Sequence, residues 1–498
     1  MEEMSKLTEN QHGKIKVAEL VYLLYFAVMF GARAIGLFEG MTAYNISLVI
    51  GMVLFLTKVM LTEHTVLEYL LLGSLLFLAV IVYYNTGEKG LLLYLTMMLG
   101  MKNVSVRRVF KLGTLILGTA FPVLVLLSIT GIKEEIIYIK GRAFFGEVIR
   151  HSLGYPYPNT LFTTYIVLMV LIMYMLGKQS KKNLLLSSLF LFTGAIYIYI
   201  YTCSNTGLIV SVFYLMLNLY LQMRPALVKI EKTGILLVYP ACLGFSILVP
   251  MAVRGSLFQV LDRVLHNRFA YSLYYLTNEP VTLFGVRFKE APNTNYMIDS
   301  SFLYSFLQIG VVPFLIVTFL FTNMIYDYVK QERKTELAII VSFCVLGLSD
   351  PFLFNLSYKN LAFLFIGEMF YRKLQILEKR LSSKKEGILC KKIQWLSAGN
   401  NVLVYDKGVY RQCGEKLRFL RRLISENNIR LSLTYMLSAA VICSSLFFTT
   451  WSSYIEGRAD QVEEWEYIRN VMSLGLWGSV ITAGAFLLIR QAGKRRKI

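Results

Sequence analysis

The stretch Arg150-His151-Ser152-Leu153-Gly154-Tyr155-Pro156-Tyr157-Pro158-Asn159 interrupts a chain that is otherwise dominated by long hydrophobic runs. Its glycine and its two prolines rule out a continuous helix and predict an irregular turn. The backbone of such a turn holds an arginine, an imidazole and an amide in fixed directions, which is typical of a site. Arg150, His151 and Asn159 are therefore candidate site residues.

The hydrophobic runs on either side define the class of protein. Hydrophobic residues make up 56% of the 498 residues and charged residues only 16%, whereas about a quarter of an average soluble domain is charged. A helix needs roughly 20 apolar residues to cross a bilayer, and counting such runs predicts an all-α polytopic integral membrane protein with fourteen spans. The predicted spans are 17–37, 43–62, 65–84, 88–101, 110–130, 159–177, 183–202, 205–223, 234–253, 298–326, 335–353, 358–376, 431–452 and 470–490.

The positions of lysine and arginine predict the orientation. Cytoplasmic loops carry an excess of these residues, and here every second loop is basic, apart from the tight turn at Glu63-His64. We therefore expect a multi-pass protein of the bacterial plasma membrane with both termini in the cytoplasm. Topology also explains most of the net charge of +20, so nucleic-acid binding is not expected. The basic loops are 102–111, 178–182, 224–232, 330–334 and the tail 494–497.

Composition divides the chain into five predicted segments. A basic cytoplasmic segment, 377–430, is expected to contact anionic lipid of the inner leaflet, with recruitment of a cytoplasmic partner as the alternative. No removed signal peptide is expected, because no small-residue cleavage site follows the first apolar run. The segments are a cytoplasmic N-terminus 1–16, a membrane core 17–376 with large outer loops 131–158 and 254–297, the basic segment 377–430, a transmembrane hairpin 431–490 and a basic tail 491–498.

The two large outer loops depart from the charge pattern, because they are basic although they are predicted to lie outside. They hold six arginines against three lysines. The planar fork of arginine matches phosphate oxygens and tolerates partial burial better than an ammonium group, so the loops predict an anion site. Alternatively, any single arginine of these loops could form an ion pair with a nearby carboxylate, or its side chain could reach lipid headgroups. The arginines are Arg142, Arg150, Arg254, Arg263, Arg268 and Arg287.

An outer cavity lined by arginine, in a chain without a nucleotide-binding motif, suits a substrate that carries its own diphosphate leaving group. An undecaprenyl-diphosphate-linked sugar is such a molecule, and fixed arginines would neutralise the diphosphate as the glycosidic bond breaks. The acceptor hydroxyl then needs a base. The candidates are His151, His266 and Asp299, although His151 could instead bond a loop carbonyl and Asp299 could cap a helix.

Other polar residues carry weaker signals. Asn159 is a candidate to bond a sugar or to cap the adjacent span, and Asp350, beside Pro351 at a predicted outer span end, is a second candidate for substrate binding. Arg33 and Lys58 lie near span ends and are expected to reach headgroups. Six cysteines occur singly, with no CxxC pair, so neither a metal site nor another cofactor is expected.

Several ordered motifs resemble the bacterial O-antigen and capsular polysaccharide polymerases of the Wzy type, a superfamily that includes the O-antigen ligases. The segment Arg150-His151-Ser152-Leu153-Gly154 to Pro158-Asn159 is similar to the loop signature of that family. Thr202-Cys203-Ser204-Asn205-Thr206-Gly207 is similar to its Thr/Ser-rich turn, with Asn205 where an arginine is usual. Arg268 followed by Leu283-Phe284-Gly285, and Asp299-Ser300 to Gly310, are similar to its large outer loop and next span.

This resemblance covers roughly residues 15–375 and implies a function. It implies an undecaprenyl-diphosphate-linked oligosaccharide donor, inverting glycosyl transfer on the outer face, essential outer-loop arginines and no metal. Arg150, His151, Arg268 and Asp299 would then be catalytic. A chain-length regulator and a flippase of the same pathway would be partners, together with membrane lipid.

Two alternatives remain open. A ligase would transfer finished glycan to a different acceptor by the same chemistry. A flippase or transporter of lipid-linked oligosaccharide would use the arginines to hold the diphosphate in transit, and such a protein is expected to have charged or broken helices at mid-membrane.

Overall fold

The computed structural model of the chain describes residues 14–142, 146–264, 267–289, 298–353, 358–383 and 389–404, with five further positions between 473 and 481. The predicted N-terminal segment up to residue 13, His266 and the tail 491–498 lie outside the described residues. So does the predicted hairpin 431–490, apart from those five positions.

Contacts divide the chain into two units. The smaller comprises 1–15, 123–135 and 403–498; within it, the amide of Lys133 donates to Leu127 O at 2.9 Å and closes the end of a helix. The larger comprises 16–122 and 136–402, and it holds all the site residues considered below.

The described residues form fifteen α-helices, nine of which are long and apolar enough to cross a membrane. The chain is therefore a predominantly helical, multi-pass membrane protein, as predicted. In chain order the helices are α1 (Val17–Ala34), α2 (Thr42–Leu61), α3 (Val66–Thr86), α4 (Gly90–Leu99), α5 (Val106–Ile129), α6 (Pro158–Leu176), α7 (Lys181–Thr202), α8 (Asn205–Met223), α9 (Lys229–Ala252), α10 (Gly255–Val264), α11 (Arg268–Asn278), α12 (Ser301–Gln308), α13 (Val311–Lys330), α14 (Lys334–Leu346) and α15 (Ala362–Ser383).

Helix α4 lies in the core of the larger unit. It is apolar on every side and nearly all of its residues are buried, as expected for a helix without a polar face. Two tyrosines of α1 fix it in place: Tyr22 Oη donates to Met97 O at 2.7 Å, and Tyr25 Oη lies 2.9 Å from Thr96 Oγ1. At ten residues, α4 is too short to cross a bilayer alone.

The predicted span 298–326 is wrong as a single helix, because α12 ends at Gln308 and α13 begins at Val311. Between them Gly310 has a φ of +88°, which favours glycine. The segment before α12 pairs with this break, since the amide of Val311 donates to Thr282 O at 2.9 Å. A Cβ at Gly310 would overlap the backbone nitrogen of Gly285. The chain breaks here so that two backbones can approach closely.

The predicted span 335–353 also differs, because α14 ends at Leu346 and residues 347–353, which begin the connection to α15, are not helical. Residues 358–361, the described end of this connection (347–361), are not helical either. Ser301, the first residue of α12, fixes this connection. Its amide donates to Gly347 O at 2.8 Å, its hydroxyl donates to Asp350 O at 2.6 Å, and the hydroxyl accepts from the amide of Leu353 at 3.0 Å.

Six short strands depart from an all-α fold: β1 (Lys14–Lys16), β2 (His64–Thr65), β3 (Ile137–Arg142), β4 (Gly146–His151), β5 (Lys392–Ile393) and β6 (Val402–Val404). Strands β3 and β4 form an antiparallel hairpin in the predicted loop 131–158, with Ile137 opposite His151. The predicted irregular turn therefore begins only after His151. Leu153 and Gly154, both with positive φ, form it.

The described part of the basic segment 377–430 packs against other parts of the chain. Residues 377–383 continue α15, and β5 pairs with β2 at the turn between α2 and α3. The amide of Leu396 donates to Met60 O at 3.1 Å, and the amide of Val17 donates to Asn401 O at 3.0 Å.

Lys58, near the C-terminal end of α2, is buried and donates to Thr62 Oγ1 at 2.8 Å. The expectation that it reaches a headgroup is therefore wrong.

Candidate functional site

Two neighbouring cavities lie where the connection 347–361 meets the ends of several helices. Their volumes are about 470 and 390 Å³, within the usual range for ligand sites of about 300–1,000 Å³. Glu88, Tyr304 and Pro351 line both cavities. The two volumes therefore adjoin at these residues, and a ligand with two parts has room in both.

The smaller cavity, of about 390 Å³, combines two cations with the stretch singled out from the sequence. Residues 155–157, which follow the β-hairpin, lie on one side, and Arg33 and Lys359 lie on another. Tyr155 Oη donates to Ala34 O at 3.0 Å and ties the loop to the end of α1. Arg33 Nη1 donates to Leu37 O at 2.8 Å, and its guanidinium carbon lies 4.6 Å from the ring centroid of Tyr44. Arg33 thus lines this cavity and bonds a backbone carbonyl of the protein.

Lys359, in the connection before α15, is the second cation of this cavity and is only 2% exposed. Its ammonium group donates to Thr164 Oγ1 and lies 5.4 Å from the ring centroid of Tyr155. Burial, and next the positive charge of Arg33, lower the pKa of Lys359 to about 7, whereas Asp350 acts in the opposite direction. The described contacts therefore hold this ammonium group without a carboxylate in direct contact.

Two carboxylates line the smaller cavity at its edges. Glu39 accepts from Lys89 Nζ at 2.6 Å. Burial raises the pKa of Glu88, whose carboxyl also bonds Tyr304. The charge of Glu39 also acts on Arg33, so Glu39 offsets part of the positive charge of this cavity.

The larger cavity, of about 470 Å³, has an aromatic wall. Tyr275 of α11 and Phe288 form it, with their ring centroids 5.2 Å apart. The other residues that line only this cavity are Thr86, Arg287, Ile298 and Gln308. Of the outer-loop arginines whose side chains are described, which excludes Arg142, only Arg287 lines either of these cavities.

A charged cluster adjoins both cavities through Pro351. Arg268 Nε donates to Asp299 Oδ2 at 2.8 Å, and Asp350 immediately precedes Pro351. Burial, and next the charge of Asp299, raise the pKa of Asp350 to about 6, while Thr163, Lys359 and Arg268 act in the opposite direction. The structure therefore brings together three residues that the sequence placed in three separate segments.

Asp350 has an unusual environment for a carboxylate. Thr163 Oγ1 donates to its Oδ2 over a long 3.3 Å. Its other oxygen, Oδ1, is buried, and no hydrogen-bond partner for it occurs in the described part of the chain. A buried polar atom without a partner carries a desolvation cost. Asp350 Oδ1 is therefore available to accept a proton or a hydrogen bond from a ligand.

Arg150 and Asn159, two candidates from the stretch 150–159, line neither cavity. Arg150 is 8% exposed, and its Nε donates to Thr202 O at 2.7 Å. Its Nη2 donates to Asn159 Oδ1 at 2.7 Å, and Ser204 Oγ donates to the same oxygen at 3.1 Å. These bonds join β4 to α6 and to the turn between α7 and α8. They fix the loop that carries residues 155–157 into the smaller cavity.

Neither cavity is lined by His151, Arg254 or Arg263. His151 is buried, with its ring perpendicular to that of Tyr201 at 5.9 Å. Arg254 is exposed and donates to Pro250 O at 3.2 Å, and Arg263 is exposed on α10. Arg142 lies on β3 opposite Gly146.

Sequence reasoning missed Lys359, Arg33, Glu88 and Tyr304 as cavity residues. A signal was present for Lys359, because it falls in the predicted span 358–376 and an ionisable residue within a span is by default a candidate site residue. Glu88 and Tyr304 gave no such signal, since a glutamate near a span end and a tyrosine within a span are both common.

The described residues contain no group of three or more His, Cys, Asp or Glu side chains that could hold a metal ion. Comparison of the chain with protein-family models, with curated proteins and with solved structures found no match.

Proposed function

We propose that the chain is a polysaccharide polymerase of the bacterial plasma membrane. It transfers undecaprenyl-diphosphate-linked repeat units onto a growing lipid-linked glycan at the outer face. The observation that carries the proposal is the meeting of Arg268, Asp299 and Asp350 beside two adjoining cavities in a multi-pass membrane protein. The sequence motifs that resemble the Wzy-type polymerases support the same reaction.

The reaction needs a base for the acceptor hydroxyl, and Asp350 suits this role. In an inverting transfer the hydroxyl oxygen forms a bond to the anomeric carbon while the bond from that carbon to the diphosphate oxygen breaks. The hydroxyl proton passes to the carboxylate, and the electron pair leaves with the polyprenyl diphosphate. Asp350 offers the unpartnered Oδ1 as acceptor, and its pKa of about 6 makes it a stronger base than an ordinary aspartate while leaving it mostly ionised at pH 7.

Arg268 and Asp299 have a positioning role in this proposal. The ion pair fixes the Asp299 carboxylate near Asp350, and the negative charge of Asp299 helps to raise the pKa of Asp350. The aromatic wall formed by Tyr275 and Phe288 gives the larger cavity an apolar surface beside polar groups, which is typical of a site that orients a ligand. We assign this cavity to acceptor sugars.

Analysis of lipid-linked glycans tests the function. In cells whose copy of the protein carries Asp350→Asn, we expect single repeat units on the lipid carrier to accumulate at the outer face, with no longer ladder. A matched cell line with Arg254→Gln should keep the ladder, because Arg254 is exposed and lines neither cavity. Accumulation of full-length lipid-linked polymer in the Asp350→Asn cells would instead favour the ligase alternative.

A flippase of lipid-linked oligosaccharide is the second candidate, and one observation favours it. Transporters often bind substrate at discontinuous helices, and α12 and α13 are interrupted at Gly310. Repeat units that accumulate on the cytoplasmic side of membranes from the Asp350→Asn cells would support transport and exclude the polymerase.

A further inference from the structure

We infer that Lys359 and Arg33 form a diphosphate-binding site in the smaller cavity. This site, whose two cations lie outside the predicted outer loops, holds the leaving diphosphate of the lipid-linked donor. The assignment to that donor rests on the proposed function, whereas the affinity for a diphosphate group rests on the geometry alone.

The burial of Lys359 is the first step of the argument. Its ammonium group is charged when protonated, yet its described partners are a hydroxyl, Thr164 Oγ1, and the ring of Tyr155. Neither partner carries a compensating charge. Burial of a charge is costly unless an opposite charge or several hydrogen bonds compensate for it. An ammonium group needs three acceptors and can take further bonds from an anion in the cavity.

The second step is the charge balance of the cavity. Arg33 adds another positive charge, and its field acts on Lys359. Of the carboxylates at the edges, Glu39 accepts from Lys89 at 2.6 Å and also acts on Arg33, and Glu88 bonds Tyr304. Among the described contacts, neither glutamate bonds Lys359. Two cations that repel each other across a cavity are stabilised together by an anion between them. A diphosphate carries at least two negative charges and presents oxygens to both.

The third step is preorganisation. Tyr155 Oη bonds Ala34 O at 3.0 Å, so the ring that lies over Lys359 is tied to the residue that follows Arg33. Thr164 Oγ1, which accepts from Lys359, also donates to Thr160 O at 2.6 Å. Lys359 is therefore held in place by buried contacts, and Arg33 by its bond to Leu37 O at 2.8 Å. A site fixed in advance stabilises developing negative charge without reorganisation.

The position of the cavity is the fourth step. Pro351 lines it, and Asp350 is the residue before Pro351. A donor held by its diphosphate at Lys359 and Arg33 therefore lies next to the carboxylate that receives the acceptor proton. The neighbouring aromatic cavity then lies on the acceptor side of the reacting carbon.

Binding of farnesyl diphosphate to the purified full-length protein tests the inference. We expect Lys359→Gln to weaken this binding by about tenfold or more, because a charge-assisted bond is lost. Lys359→Arg should bind within about threefold of the unchanged protein, since it keeps the charge. Lys58→Gln is a matched control: Lys58 is an equally buried lysine bonded to Thr62 Oγ1, and it lines neither cavity. Wild-type affinity in Lys359→Gln overturns the site.

Three further measurements sharpen the test. Arg33→Gln should also weaken farnesyl diphosphate binding. This variant replaces Lys359→Gln in the test if Lys359→Gln fails to fold. Unchanged affinity in Arg33→Gln overturns the two-cation site. Displacement by inorganic diphosphate supports recognition of the diphosphate group itself. Displacement by phosphatidylglycerol vesicles, with no effect of inorganic diphosphate, shows that a lipid headgroup is the ligand and overturns the inference.

Comparison of binding with ladder formation separates this inference from the proposed function. Farnesyl diphosphate binding that depends on Lys359, in a protein that makes no polymer, supports the site and overturns the polymerase. Polymer formation with unchanged farnesyl diphosphate affinity in Lys359→Gln supports the polymerase and overturns the site.

Discussion

Arg268 Nε donates to Asp299 Oδ2 at 2.8 Å and joins helix α11 to the segment that enters α12. Both side chains are partly exposed, at 22% and 39%. Exposed pairs of this kind contribute about 0–1 kcal/mol to stability, so the fold has little need of the pair. In the proposed reaction, its position beside Asp350 gives the pair a positioning role.

We therefore expect Arg268→Ala to lower the free energy of unfolding by about 1 kcal/mol or less, while ladder formation falls by about 100-fold or more. The loss follows because Asp299 is released and no longer acts on Asp350. Arg268→Lys should restore little activity, since an ammonium group lacks the fork geometry. Thermal unfolding and ladder formation from lipid-linked repeat units measure the two effects, and normal ladders from Arg268→Ala would remove Arg268 from the site.

The pKa of Asp350 predicts the pH dependence of polymer formation. A base acts in its ionised form, and burial together with the charge of Asp299 raises the pKa of Asp350 to about 6. Activity should therefore be full well above pH 6 and fall about tenfold per pH unit below it. Asp299→Asn removes one negative neighbour, so the pKa of Asp350 falls and the acid limb moves to lower pH. Thr163, Lys359 and Arg268, which act in the opposite direction, remain in that variant.

The rate of ladder formation in membranes from pH 4.5 to 8 measures this profile. Asp350→Asn should abolish the limb together with the activity. An acid limb that stays in place or moves to higher pH in Asp299→Asn would contradict the proximity of the two carboxylates.

The sequence predicted the class of fold and part of the site for a clear physical reason. Hydrophobic runs reveal spans because the bilayer excludes unpaired backbone, and charged residues between spans stand out against them. Arg268, Asp299 and Asp350 were recognised in this way. Their meeting was not predictable, since it depends on Ser301 binding the connection 347–361.

The missed features share a cause. Apolar residues lie on both sides of Gly310, so composition alone predicts one span. In the structure, backbone hydrogen bonds to residues 282–286 accompany a break into two helices. Lys359 was counted as part of the predicted span 358–376 because apolar residues follow it directly. The role of Arg150 was assigned from residue type, whereas its hydrogen bonds to Thr202 and Asn159 could be found only in the folded chain.

The bonds of Arg150 predict a cost in stability. Arg150→Ala removes the side-chain donor to Thr202 O in a buried region, and an unsatisfied buried group costs about 1–3 kcal/mol. Asn159 Oδ1 loses one of its two donors and keeps the bond from Ser204 Oγ. We expect a lower thermal unfolding temperature and a reduced protein level, with polymer reduced as a consequence. Arg254→Ala, at an exposed arginine that bonds Pro250 O and Val253 O near its own helix end, should change the unfolding temperature little. Equal unfolding temperatures in the two variants would show that the Arg150 bonds contribute nothing to the fold.

The break between α12 and α13 predicts a large effect at one glycine. Gly310 has a φ of +88°, and a Cβ there would overlap the backbone nitrogen of Gly285. Gly310→Ala therefore adds a steric clash to a backbone penalty of about 1–2 kcal/mol, and we expect a total loss of about 3 kcal/mol or more. Gly40→Ala is a matched control, since Gly40 has a φ of +98° with nothing within 4 Å of an added Cβ, so only the backbone penalty applies. Thermal unfolding of the purified variants compares the two, and a loss at Gly310 no greater than that at Gly40 would rule out the close approach of the two backbones.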